Sequence, residues 1–312
     1  MTPTAALLLA LTVPAAPAPK ADKGLPKDLV DLIPEDTAGV LILDVPATSK
    51  SDIGKAFLKV ITAEQKPDEP IQVADFVRDA ELVIVAQFLI DQGFGDFCIL
   101  VRHKEKSDIP KALIDRADKA GKDKAPEKIG KHTVYSLGSN DASFARIDDR
   151  TVMFVLATGS PEQVKETRSA AYAEREKPGP SSALRKMLTE DRGGQAVRLY
   201  GYHPKKLALS TWLLLAPFGV KDKTFNKFEG KVVSYRGEIK AGAAAEIELR
   251  ITAGDADTAK ALLEAYESVE ENDPFVKELR ATAKAVRDGE DLIITAKLTA
   301  AMADRLGNRP NK

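Results

Sequence analysis

The sequence predicts an α+β fold: two similar β-α-β-β-α-β (ferredoxin-like) repeats with antiparallel sheets and extra hairpin strands. Three observations lead there. Apolar runs of strand length alternate with stretches of helical period in both halves of the chain. The residues between successive strands are hairpin turn residues, which join antiparallel neighbours. Finally, Lys50–Leu58 (KSDIGKAFL) and Lys106–Ile114 (KSDIPKALI) share six of nine positions, each after an apolar strand.

In the first half, Gly39–Val45 (GVLILDV) is a strand, and a helix from about Ser51 buries Ile53, Phe57, Leu58 and Ile61. Glu81–Ile90 and Asp96–Val101 form two strands about the turn Asp91-Gln92-Gly93-Phe94-Gly95, and a second helix begins near Ser107. Thr133–Leu137, Ala142–Ile147 and Thr151–Ala157 are short strands. Ser160-Pro161-Glu162-Gln163 then opens a helix with a capping box and Pro at its first position. Helices on one face of each sheet are expected.

The second half replays this order. Ala196–Tyr202 precedes an apolar helix, Lys205–Ala216. Gly230–Ile239 and Ala244–Ile251 alternate with period two about Lys240-Ala241-Gly242. Asp255 caps a helix with Leu262, Leu263, Tyr266 and Val269 on one face. Asp288-Gly289 joins the strands Ala281–Arg287 and Asp291–Thr299 as a type I′ signal, and a short helix near Ala300–Leu306 follows.

The ends and breaks give the organisation. Residues Ala5–Val13 (AALLLALTV) are an uncharged apolar run of signal-peptide length, too short for a membrane helix, with small-residue cleavage sites ending at Ala15 and Ala18. Cleavage after Ala15 is expected, because Pro19 follows the second site. The n-region MTPT carries no basic side chain. The domain reading is a signal peptide with its Ala/Pro-rich end at 1–18, a first repeat at 19–176, a linker at 177–182, a second repeat at 183–306 and a tail at 307–312. The linker belongs to the Pro/Gly-rich stretch Glu174–Ser182, and Lys119–Lys131 is read as a Lys-rich loop. Export to the periplasm, envelope or exterior is the expected address.

Composition removes several chemistries. Forty-six basic against 47 acidic side chains give a net charge of −1, without the basic surplus of a nucleic-acid binder. The single cysteine, Cys98, excludes an intrachain disulfide framework and thiolate-rich metal sites, and its place in DFCILV makes it a core residue. There is no G-x-S-x-G, S-x-x-K or H-E-x-x-H motif. Gly93-Phe94-Gly95 leads into a strand, where a phosphate cradle needs a helix. Asp255-Ala256-Asp257 is accounted for by helix capping, and Asp148-Asp149 by a solvated turn. One Trp and 6% aromatics leave few platforms for sugars. No cofactor or metal site is expected. Of the histidines, His103 and His203 each end a strand in their own half, and His132 stands in GKHTVYS.

The order of these elements resembles a family of exported bacterial proteins described as a domain of unknown function. The resemblance rests on Ile33-Pro34-Glu35-Asp36 before the first strand, on Gly130–Ser136, on Ala145-Arg146-Ile147-Asp148-Asp149 before Thr151–Ala157, and on the helix capped at Ser160. It implies an exported α+β protein and carries no catalytic residue across.

Three functional expectations follow. The first is a non-enzymatic exported binding or scaffold protein whose partner is an unknown protein or envelope component. The second is a hydrolase whose site, carboxylates or His103 with His203, is assembled between the repeats. The third is a membrane- or partner-docking protein acting through the apolar helix of Trp212, Leu213, Leu214 and Phe218, a helix whose apolar residues on nearly all sides are otherwise read as buried between the halves.

Overall fold

A computed structural model describes residues 25–49, 79–88, 96–120, 125–136, 142–172, 179–190, 195–202, 214–221, 224, 226–240, 244–269, 273–299 and 301–302. The signal segment, the first KSDI nonapeptide, the Gly93 turn, His203, Trp212 and Leu213 lie outside them. The described residues form two compact units, 25–45 with 79–190 and 46–49 with 195–302.

Seven strands make the first unit's sheet: β1 (Thr37–Asp44), β2 (Ala80–Phe88), β3 (Asp96–His103), β4 (Glu127–Ile129), β5 (His132–Ser136), β6 (Ala142–Arg146) and β7 (Thr151–Leu156). Their order is β1-β2-β3-β7-β6-β5-β4, with every neighbour antiparallel. Alternation along each strand aligns one buried row across six of them: Ile42, Ile84, Leu100, Met153, Ala145 and Val134. The next row holds Val40, Ala86, Cys98 and Val155, with Cys98 fully buried as the sequence reading expects.

Helices cover this sheet on both faces, which corrects the one-face expectation. The helix α3 (Ile109–Ala120) packs Ile109 and Leu113 on Phe144 and Val152, where Tyr135 stacks on Phe144 and Phe154 lies tilted against it. Ser143 faces the other way, and there the Tyr172 hydroxyl of α4 (Pro161–Tyr172) lies 3.5 Å from its Oγ and donates to the Met153 carbonyl at 3.3 Å. The capping box at Ser160 forms in full: Gln163 N–H donates to Ser160 Oγ, and Ser160 N–H to Gln163 Oε1.

Two short helices complete the unit, α1 (Lys27–Leu32) and α5 (Ser182–Thr189). They bury Leu29, Val30, Leu184 and Leu188, and Arg185 meets Asp31 at 2.6 Å. The first unit therefore runs through α5, past the Pro/Gly-rich stretch read as the linker. The Lys-rich loop is also more structured than expected, since Glu127–Ile129 pairs as β4 with His132–Val134. A further short helix, α2 (Val45–Ser49), follows β1.

The second unit's strands are β8 (Val197–Tyr202), β9 (Val232–Lys240), β10 (Ala244–Ala253), β11 (Lys284–Asp288) and β12 (Asp291–Thr299), ordered β8-β9-β10-β12-β11, again antiparallel throughout. One face buries Ile239, Ile247, Leu249, Ile251, Leu292 and Ile294. It packs against α6 (Ala256–Glu267) and α7 (Pro274–Thr282), whose Leu262, Tyr266 and Leu279 are buried. On the opposite face of β10 and β12, Glu246, Glu248, Thr295 and Lys297 are exposed. Beyond the start of β11, the Thr282 hydroxyl takes over the edge of β12, donating to the Lys297 carbonyl and accepting from its N–H.

The two units share a succession: first strand, second strand, third strand, helix, then a returning strand paired with the third. It reads β1-β2-β3-β7 in one and β8-β9-β10-β12 in the other. This order differs from that of a split β-α-β unit, which places the third strand between the first two. Asp44 at the end of β1 pairs with Leu82 near the start of β2, so the chain re-enters the sheet at the end where it left and runs straight back. No slot remains between them.

α7 was absent from the sequence reading, although its start is marked by Asp273 followed by Pro274. The Asp273 carboxylate accepts from Phe275 N–H at 2.8 Å and Val276 N–H at 3.3 Å. Replacing it by Ala is expected to lower the second unit's stability by about 1 kcal/mol, measured by urea unfolding, whereas Asp273→Ser retains most of the cap.

Candidate functional site

A cluster of ionisable side chains lies in the first unit, where β3 ends beside the β6–β7 turn. The turn Ile147–Arg150 is tight because the Asp148 carboxylate accepts from Arg150 N–H at 2.7 Å. That closure projects Arg150 back over the end of β3, where Nε donates to the His103 carbonyl at 3.0 Å and the guanidinium reaches Glu81 at 2.5 Å and Glu105 at 3.7 Å. Arg102 meets Asp28 at 2.7 Å and Asp148 at 3.9 Å, and also donates to Thr151. Arg146 pairs with Asp149. Ser107, the second residue of the second KSDI nonapeptide, accepts from Ile109 N–H and donates to Asp79 at 3.4 Å.

At the centre is His103, fully buried, with ring Nδ1 3.1 Å from the Arg150 carbonyl, which also accepts the His103 backbone N–H at 2.7 Å. Nδ1 therefore carries the proton. Burial lowers the imidazole's pKa; the Arg150 hydrogen bond and the nearby Asp79 charge oppose this with smaller effect. A general base must reach a substrate proton, and the nitrogen left to accept one, Nε2, is buried inside the protein. The carboxylates of the cluster sit against guanidinium groups, so the geometry suits a structural clasp.

The depressed value has a pH consequence. Below the unfolded-state value of 6.5 the unfolded chain binds a proton that the folded ring refuses until its own lower pKa is reached. The first unit is expected to be at full stability above pH 6.5 and to lose stability as pH falls from there through the folded value. Comparing urea midpoints at neutral and mildly acid pH, His103→Gln is expected to reduce that dependence; an unchanged slope would place its source elsewhere.

A concave surface of about 250 Å³ lies in the second unit on the open face of β9, β10 and β12 and is lined by Glu238, Lys240, Glu246, Glu248, Thr295 and Lys297 among others. Two of its carboxylates are paired: Glu246 lies 3.7 Å from Lys297, and Glu238 pairs with Arg236.

The remaining sequence-selected residues divide cleanly. Leu214 is 2% and Phe218 0% exposed, with the Phe218 ring 5.9 Å from Tyr266 and its carbonyl accepting from Arg280 at 3.1 Å. Arg280 also stacks over Tyr266 at 4.4 Å. These two members of the apolar patch are core residues of the second unit, whereas Trp212 and Leu213 lie outside the described residues. His132 is buried in β5, and Asp255 caps α6 by accepting from Thr258 N–H at 2.6 Å. The His103–His203 pairing has one member outside the described residues. Among the described residues no group of three or more His, Cys, Asp or Glu is placed to hold a metal ion. No helix there is long and apolar enough to cross a membrane.

Sequence reasoning passed over Arg102 and Arg150, because isolated arginines carry no motif. It also passed over Asp96, fully enclosed at the start of β3, which accepts from Thr158 N–H at 2.7 Å, Thr158 Oγ1 at 3.2 Å and Thr167 Oγ1 at 2.6 Å.

No known family profile and no curated protein matches the chain. Solved structures do match. Three crystal forms of a protein designated TP0453 superpose with TM-scores of 0.53, 0.53 and 0.52 at 13, 14 and 15% identity. Each alignment covers 89% of this chain, and 96, 95 and 94% of the other. At that identity the likeness is one of fold. The chain is thus similar in fold to TP0453 over most of its length.

Proposed function

We propose that this chain is an exported, non-enzymatic binding or scaffold protein built from two copies of one succession, three antiparallel strands, a helix and a returning strand. The observation that carries the reading is the fate of its chemistry-bearing side chains. Arg102, Arg150, Asp28, Glu81 and Asp148 are engaged with one another, and His103 is buried against a backbone carbonyl. The shared strand order of the two units supports the duplication. The apolar run Ala5–Val13 and the resemblance to exported proteins of unknown function support the address.

A broad hydrolase screen tests the first part: hydrolysis abolished by changing a single polar residue would overturn it. Expression in a bacterial host tests the second. The protein is expected in the periplasm or medium with Ala16 at its N-terminus, and a cytoplasmic product that keeps Ala5–Val13 would refute export.

A further inference from the structure

β11 is the last strand of the second unit's sheet, and among the described residues nothing pairs with its outer side. Lys284, Val286, Arg287 and Asp288 are all exposed. Val286, at 38%, is one of two large apolar side chains exposed among the described residues. Lys284, Val286 and Asp288 alternate onto one face, the open face of the sheet, opposite Thr295, Ile293 and Asp291 of β12. Arg287 points the other way and donates to the Ala256 carbonyl of α6.

The hairpin sets which backbone groups are outward. Asp288 and Asp291 close a two-residue turn, Gly289-Glu290, with Gly289 at φ 61°. In such a hairpin the closing pair exchanges hydrogen bonds, and alternate pairs after it do the same. Asp288, Val286 and Lys284 are thus bonded to β12, and the N–H and C=O of Ala285 and Arg287 point to the outside.

We propose that a second copy of this chain docks on this edge, antiparallel and centred on Val286. In that register Ala285 of one copy exchanges both backbone bonds with Arg287 of the other. Val286 meets Val286 in the close, non-hydrogen-bonded position. Lys284 then lies opposite Asp288 of the second copy, and the two-fold axis repeats the pair. The charges select this register: parallel pairing sets Lys on Lys and Asp on Asp, and a two-residue slip sets Lys284 against Val286. Neither Lys284 nor Asp288 has an ion-pair partner among the described residues, so both are available. Charges commonly guard a sheet edge against pairing; here they favour one register over the others. The proposal holds whether or not the chain is an enzyme.

A five-residue edge buries far less than the roughly 1,200–2,000 Å² of a stable interface, so the dimer is weak and reversible. Sedimentation velocity on the full chain, from about 10 µM to about 1 mM, is expected to show a concentration-dependent monomer–dimer equilibrium. Lys284→Asp and Asp288→Lys each create two like-charge pairs and are expected to weaken it about tenfold. The double variant K284D/D288K, which restores both pairs with reversed sign, is expected to return to within about threefold of wild type. Val286→Lys sets two ammonium groups together at the axis, and is an independent check should a charge variant fail to fold. A wild type that stays monomeric throughout, a dimer indifferent to the single changes, or a double variant that remains weak would each overturn the proposal. The first result leaves the edge for a strand of another protein.

Discussion

Asp96→Ala is expected to destabilise the first unit by about 3 kcal/mol, the largest single effect available without touching a large core side chain. The carboxylate is 3% exposed and takes three hydrogen bonds, one from a backbone N–H and two from hydroxyls, joining the start of β3 to the Thr158 turn and to Thr167 in α4. Alanine leaves the Thr158 N–H and the fully buried Thr167 hydroxyl without their acceptor, in a site too enclosed for water to replace it freely. Asn supplies one oxygen but turns an NH₂ toward donors, so Asp96→Asn should recover less than half of the loss. Urea unfolding followed by far-UV circular dichroism measures both. A loss below about 1 kcal/mol for Asp96→Ala would mean that the three contacts are dispensable.

Gly201→Ala is expected to lower the second unit's stability by about 2 kcal/mol, for the opposite reason. Gly201 pairs directly with Tyr235, and a β-carbon there would stand 2.2 Å from the tyrosine ring, which is 5% exposed and has no room to retreat. The glycine is needed for this close approach, since its φ is not positive. Gly237, opposite Leu199, has a milder version of the same arrangement, with 3.0 Å of clearance. Tyr235→Ala alone leaves a cavity and should lose about 3–4 kcal/mol. Combined with Gly201→Ala, the new methyl partly fills that space, so the double variant should be more stable than the sum of the singles by about 1–2 kcal/mol. Strict additivity would place the strain of Gly201→Ala elsewhere.

Strands with strong alternation were legible from sequence to within a few residues. The Asp288-Gly289 hairpin and the caps at Ser160 and Asp255 were as well, because turn and cap chemistry is local. What escaped depends on partners far along the chain. α5 was lost because Ser182–Thr189 is short and follows a Pro/Gly-rich stretch; it is held by Leu184, Leu188 and the Arg185–Asp31 pair. α7 carries only its cap, Asp273-Pro274, as a local signal, and its last residues, Ala281 and Thr282, fall in the stretch Ala281–Arg287 that reads as a strand. Strand order is not encoded locally at all: nothing in GVLILDV says whether its neighbour is the second strand or the third. The charged cluster was legible only as pieces, since Arg102, Arg150, Glu81 and Asp28 span 123 positions and converge through the register of β2, β3 and β7.

Cys98 offers a consequence of a different kind. As the chain's one thiol, seated at 0% exposure between Ala86 and Val155, it meets a reagent only when the middle of the first unit's sheet opens. Its rate of modification by a thiol-specific probe is therefore a clock for that opening, readable at protein concentrations and in mixtures where spectroscopy fails. The same seclusion keeps this sulfur from oxidants in the folded protein, and with one cysteine the chain closes no disulfide within itself.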